Sequence, residues 1–156
     1  MTVFLARGYG GASVDEIAKA ADVSKQTVYN HFGEDVKMAL QRVGRAYLNL
    51  VLNPMSLALH RIIISEARRF PDLGPTIYNV GGARFTRTLA DWLRARTEVG
   101  ELSAPDAETA AENFCALLKG NRQVRALLGG PVERERRARD QAVGQALGAC
   151  LRAYAP

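Results

Sequence analysis

Apolar residues recur at helical spacing along most of the chain, and no stretch alternates in the manner of a strand. Near the start, Val14, Ile17, Ala18 and Ala21 fall on one face of a short helix, while Asp15, Glu16 and Lys19 fall on the wet side. Ser13 with Glu16 makes a capping box, in which the hydroxyl takes one orphan N–H and the carboxylate reaches back to the cap. Asp22-Val23 interrupts this helix, and Ser24 has the chemistry to cap a second. On that second helix Val28 and Phe32 lie four apart and can pack on the first.

From Leu40 onward the pattern predicts further helices. Leu48, Leu52, Leu57, Leu59, Ile62, Ile63 and Ala67 repeat at helical spacing, with a break at Asn53-Pro54. Proline is tolerated in a first turn, so a new helix can start there. That helix is expected to end near Phe70-Pro71, with Pro71, Gly74 and Pro75 forming a short loop. A helix over 76–99 follows, apolar at Ile77, Val80, Phe85, Leu89, Trp92 and Leu93, with a kink or close approach at Gly81-Gly82. Gly100 ends it, and 102–106 reads as a turn. Two more helices are predicted over 107–128 and 133–154, separated by Gly129-Gly130-Pro131. The expected fold class is all-α: a helix-turn-helix over 1–37, then a helical-bundle domain over 38–156.

Two short capped helices with a tight turn and alanines at their crossing are the construction that lays a second helix in the DNA major groove. The polar residues suit that task. Lys25, Thr27 and Tyr29 can hydrogen-bond phosphates, helped by helix N-terminal amides. Gln26 can pair with adenine N6 and N7. No acidic residue interrupts 24–33. The same pattern also fits an ordinary αα-hairpin whose polar residues only face water.

Phe4, Gly8-Tyr9, Ser13, Ile17-Ala18, Ala21, Val23-Ser24, Thr27, Tyr29 and His31-Phe32 resemble the N-terminal signature of the TetR/AcrR repressors. The resemblance implies that Lys25, Gln26 and Thr27 approach base edges. It also implies that Tyr29 and His31 hold phosphates, with support from Ser13. Ser24 and Asn30 complete the candidate DNA-binding set. Leu57 to Leu73 and Phe114 to Gly120 resemble, more loosely, the regulatory domain of the same family.

Two departures from that family pattern stand out. Most of a first helix is missing before Phe4, leaving only Val3-Phe4-Leu5-Ala6 of its packing face. After Phe32 the chain runs almost at once into a stretch resembling the family's next body helix, as though most of a linker helix were absent between Asp35 and Leu40. A mobile segment lost from view is the favoured account, since a moving linker suits a switch; a shortened protein is the alternative. Asp35 stands where the family usually has a phosphate-contacting lysine, so that contact does not carry over.

Composition narrows the remaining classes. At 156 residues and 47% apolar, the chain can bury a sizeable core. Its net charge of +5 is not concentrated in the first fifty residues, so charge alone does not establish nucleic-acid binding. No apolar run is long enough to span a membrane and no signal peptide is visible, so a cytoplasmic, non-membrane protein is expected. Cys115 and Cys150 read as buried thiols in a reducing compartment. His31 and His60 fit no metal-ligand spacing, and neither a phosphate loop nor a nucleophile elbow occurs. The expectation is therefore no catalysis, no cofactor and no metal. The charged run Glu133 to Arg139 reads as a solvated face.

The resemblance implies a small, mainly apolar effector inside the body and a homodimer made through the last two long helices. Candidate ligand contacts are His60, Glu66, Tyr78, Phe85 and Trp92, each of which also suits plain packing. Candidate dimer contacts are Ala110, Phe114, Leu117, Leu147, Leu151 and Tyr154, which equally suit an intrachain core. The function expected is a ligand-released repressor on a double-stranded, pseudopalindromic operator. The rival is a small-molecule-binding or scaffold protein with a vestigial helix-turn-helix.

Overall fold

The computed structural model describes residues 36–131 and 136–156. Every regular element among them is a helix: α1 Val36–Val51, α2 Pro54–Glu66, α3 Leu73–Val80, α4 Gly82–Glu98, α5 Ala107–Lys119, α6 Arg122–Leu127 and α7 Arg136–Tyr154.

Four of these helices build the core. α1 buries Ala39, Leu40, Val43, Gly44, Tyr47 and Leu48, a single stripe at helical spacing. α4 buries Phe85, Thr88, Leu89, Ala90, Trp92 and Leu93, and packs most extensively on α5. α5 contributes Ala110, Ala111, Phe114, Cys115 and Leu118, and α7 contributes Ala142, Val143, Ala146, Leu147 and Cys150. Phe114 and Leu118 are wholly buried. Gly44 permits a close approach here, since a Cβ at that position would meet Leu118 Cδ2 and Val143 Cγ1 at 3.2 Å. α1 therefore lies against both α5 and α7.

α2, α3 and α6 are peripheral, and each buries one residue: Leu57, Leu73 and Ala126. α2 starts as its sequence demands. Pro54 needs no N–H partner in the first turn, and the Asn53 side chain caps it by accepting from Met55 N at 2.8 Å. Arg61 ties α2 to the end of α6 by donating to the Leu127 carbonyl at 3.0 Å and the Ala126 carbonyl at 2.6 Å.

The structure departs from the sequence reading at several joints. The residues expected to form a loop at Gly74 and Pro75 lie in the first turn of α3. The helix expected over 76–99 is two helices, because Gly81 adopts φ −106° and ψ −90° and leaves the helical region. The helix expected over 107–128 is also two, because Gly120 takes φ +46°, a conformation that side-chain-bearing residues rarely adopt. α5 gains a firm start from Asp106, whose carboxylate accepts from Thr109 N at 2.9 Å and Thr109 Oγ1 at 2.6 Å. Those hydrogen bonds hold the Asp106 carboxyl below its ordinary pKa.

Val36 to Leu40, in the stretch where most of a linker helix was expected to be absent, form the opening turns of α1.

Candidate functional site

The candidate DNA-binding residues Ser13, Ser24, Lys25, Gln26, Thr27, Tyr29, Asn30 and His31 lie outside the described residues. Two regions of the body carry some of the remaining candidates.

The first is a neutral polar spot within the four-helix core. Tyr47 on α1 stacks on Phe85 of α4, with ring centroids 4.7 Å apart and planes 28° from parallel. Cys115 of α5 lies near enough to Tyr47 to influence it electrostatically, and the Thr86 hydroxyl on α4 donates to the Gly82 carbonyl at 3.1 Å. Burial, then the neighbouring Cys115, raises the Tyr47 phenol above its ordinary pKa. Burial pushes the Cys115 thiol up to about 11. The Cys150 thiol is likewise pushed up to about 11 by burial. Both cysteines are free and buried, so at neutral pH they are packing thiols rather than nucleophiles. The spot offers hydroxyl and thiol groups without a charge.

Of the ligand candidates, only Phe85 sits in this cluster. Tyr78 is 62% exposed on α3, though near enough to influence Tyr47 electrostatically. His60 and Glu66 lie on α2 and take local partners. His60 Nδ1 lies 2.8 Å from the Ser56 carbonyl oxygen, and Glu66 faces Arg69 at 4.0 Å. Trp92 is buried two turns beyond Phe85, with the Arg96 guanidinium 5.9 Å from its ring centroid. Trp92 Nε1 and Arg96 Nε are buried without a hydrogen-bond partner among the described residues. The sequence reading missed Tyr47 and Thr86. Tyr47 was legible as one more position on the apolar stripe of α1; nothing in the sequence showed that Cys115 would face it.

The second region is an apolar groove of about 530 Å³ between α5 and α7, lined by Asn113, Phe114, Leu117, Cys150, Ala153 and Tyr154 among others. Its mouth carries one polar contact, Asn113 Nδ2 donating to Tyr154 Oη at 3.4 Å. The six dimer candidates divide here. Ala110, Phe114 and Leu147 are buried in the core of the single chain. Leu117 is 48% exposed, and Leu151 and Tyr154 are half-buried against the core. Only the second three are available to another molecule.

Among the described residues no group of three or more His, Cys, Asp or Glu side chains could hold a metal ion. No single described helix is long and apolar enough to cross a membrane.

Comparison with known proteins gives consistent matches. Residues 1–34 match the family model for bacterial regulatory proteins of the tetR family. Residues 38–156 match the model for the C-terminal domain of AefR-like transcriptional repressors. A 49-residue stretch is 45% identical to the HTH-type transcriptional activator FasR of Mycolicibacterium smegmatis (strain ATCC 700084 / mc(2)155), covering 31% of this chain and 22% of that relative's length. Among solved structures, a TetR-family transcriptional regulator from Mesorhizobium loti MAFF303099 aligns with a TM-score of 0.89 at 19% identity, covering 99% of this chain and 92% of the other. The flavonoid-responsive regulator FrrA aligns with a TM-score of 0.80 at 22% identity, with the same coverage of 99% and 92%. A TetR transcriptional regulator from Agrobacterium tumefaciens aligns with a TM-score of 0.63 at 23% identity, covering 93% and 60%. At these identities the structural likeness establishes the fold.

Proposed function

The chain belongs to the TetR family of bacterial transcriptional regulators, and from that premise we propose that it is a cytoplasmic, effector-released repressor that binds a pseudopalindromic operator as a homodimer. The family comprises regulators that bind DNA and ligands rather than enzymes. The observation that carries the reading is the order of the two matches: a DNA-reading segment over 1–34, then a regulatory body over 38–156 of the same chain.

In this reading Lys25, Gln26 and Thr27 meet base edges, Tyr29 and His31 hold phosphates with support from Ser13, and Ser24 and Asn30 complete the DNA-facing set. Two copies join at the α5–α7 groove, where Leu117 and Tyr154 supply apolar surface beside Phe114, with the partly buried Leu151 on the same helix as Tyr154. Their reading helices then lie about 34–36 Å apart, one turn of duplex. The effector binds beside Phe85 and Tyr78, where Tyr47, Thr86 and Cys115 offer neutral hydrogen-bonding groups. An effector that favours the form with wrongly spaced heads releases the operator by population shift.

Fluorescence-anisotropy titration of operator duplexes tests the contacts. Tyr29→Phe weakens binding to all sequences about equally, and Gln26→Ala relaxes preference at one base pair. Unchanged affinity and specificity in both variants overturns the contact assignment. The salt series separates this reading from a scaffold with a vestigial head, because a DNA reader loses affinity steeply as salt rises. The match to an activator supports a second mode, activation from the same operator. A reporter gene that falls on deletion of the regulator, rather than rising, favours that mode.

A further inference from the structure

α1 and α7 are joined by two polar contacts of opposite sense. Arg45 Nε on α1 donates to Asp140 Oδ1 on α7 at 2.7 Å. Arg139 Nη1 on α7 donates to Asn49 Oδ1 on α1 at 2.6 Å. Arg45 and Asn49 are one turn apart, and Arg139 and Asp140 are neighbours, so each helix supplies one donor and one acceptor. Beside them Gly44 brings the backbone of α1 against Val143 of α7 and Leu118 of α5. α1 cannot slide or turn on α7 without breaking both bonds and disturbing that contact.

Such pairs add little stability when they face water, and Arg45 and Asp140 are 40% and 34% exposed. Their value lies in orientation. The stretch that matches the DNA-reading family ends at residue 34, and α1 begins at Val36. Arg45 sits nine residues beyond Val36, about 14 Å along the helix. A tilt of about 7° about Arg45 displaces the start of α1 by about 1.7 Å in each copy. Summed over two copies, that is close to the 3.4 Å step of one base pair. At its other end α7 lines the groove assigned to dimer formation.

We infer that Arg45, Asn49, Arg139 and Asp140 are positioning residues that fix α1 against the dimer seam and so set the half-site spacing the protein accepts. This rests on the reading of the chain as a dimeric DNA-binding regulator. The clamp reads neither bases nor effector; it holds the distance between two reading heads.

The test uses the full chain and the operator recovered from genomic selection, with the central spacer lengthened or shortened one base pair at a time. Wild type is expected to prefer one spacing by at least tenfold. The double variant Arg45→Ala with Arg139→Ala is expected to flatten that preference several-fold while remaining dimeric by analytical ultracentrifugation. Its preference among base changes within a half-site is expected to stay as in wild type. The charge-swapped pair Arg45→Asp with Asp140→Arg is expected to restore a sharp preference. Asn49→Ala, a milder change that keeps the ion pair, is expected to flatten the profile in part. A dimeric double variant with the wild-type spacing profile overturns the clamp, as does a uniform loss of affinity at every spacing, the mark of a merely structural role. A wild type with no preferred operator instead overturns the regulator reading, and the clamp falls with it.

Discussion

α2 and α5 are both thirteen residues long, yet they meet the rest of the chain in opposite ways. α5 buries Ala107, Ala110, Ala111, Phe114, Cys115 and Leu118 and turns its charged residues outward. α2 is the more hydrophobic helix on average, through its large aliphatic residues, and it buries only Leu57. Ile62 and Ile63 are half-buried, and Ile64 is 64% exposed. The difference is one of phase. The apolar residues of α5 repeat at three and four positions, so a single stripe can be covered by α1, α4 and α7. Those of α2 occur on all sides, and α6 and α3 are too short to wrap it. Apolar content therefore marks which segments are helical in this chain, and phase decides which of them the chain itself can bury.

Substitutions sharpen that contrast. Phe114→Ala, at a side chain with no exposure, should destabilise the protein by about 3–5 kcal/mol, read as a fall in the urea midpoint with little change in slope. An effect below about 1 kcal/mol would mean that the α5 stripe is not the core. Gly44→Leu places a large side chain where even a Cβ meets two others at 3.2 Å, and should cost about 1–3 kcal/mol. Asn53→Ala removes the cap of α2 and should cost about 1 kcal/mol. At the small end, Ile64→Lys should change stability by no more than about 0.5 kcal/mol, despite replacing one of three consecutive isoleucines. A cost of several kcal/mol there would show that α2 is covered in solution, and ultracentrifugation of the variant would then identify self-association as the cover.

The sequence made the helices legible where phase and punctuation agreed. The break and restart at Asn53-Pro54 and the stop at Gly100 are where the pattern puts them. It anticipated a kink or close approach at Gly81-Gly82, where the structure breaks the helix, and failed at Gly120, because a glycine inside an apolar run looks the same whether the helix continues or breaks. The dimer candidates show a similar limit. Phe114 and Leu117 are both apolar and three apart, yet one is fully buried and the other 48% exposed. Which of them meets α1 depends on the close approach at Gly44, a tertiary fact. The electrostatic neighbourhood of Tyr47 and Cys115 and the Arg45–Asp140 tie were hidden for the same reason, since their partners lie far apart in the chain. Resemblance supplied what pattern could not: the order of DNA-reading segment and regulatory body was legible from residues 4–33 and 57–73, and the family matches agree with it.

The most direct test of the central claim is selection of genomic DNA fragments by the intact, purified protein at near-physiological salt, followed by sequencing. The account predicts enrichment of a pseudopalindrome whose half-sites lie about one helical turn apart. Absence of any enriched sequence, from protein shown to be folded and dimeric, would contradict it.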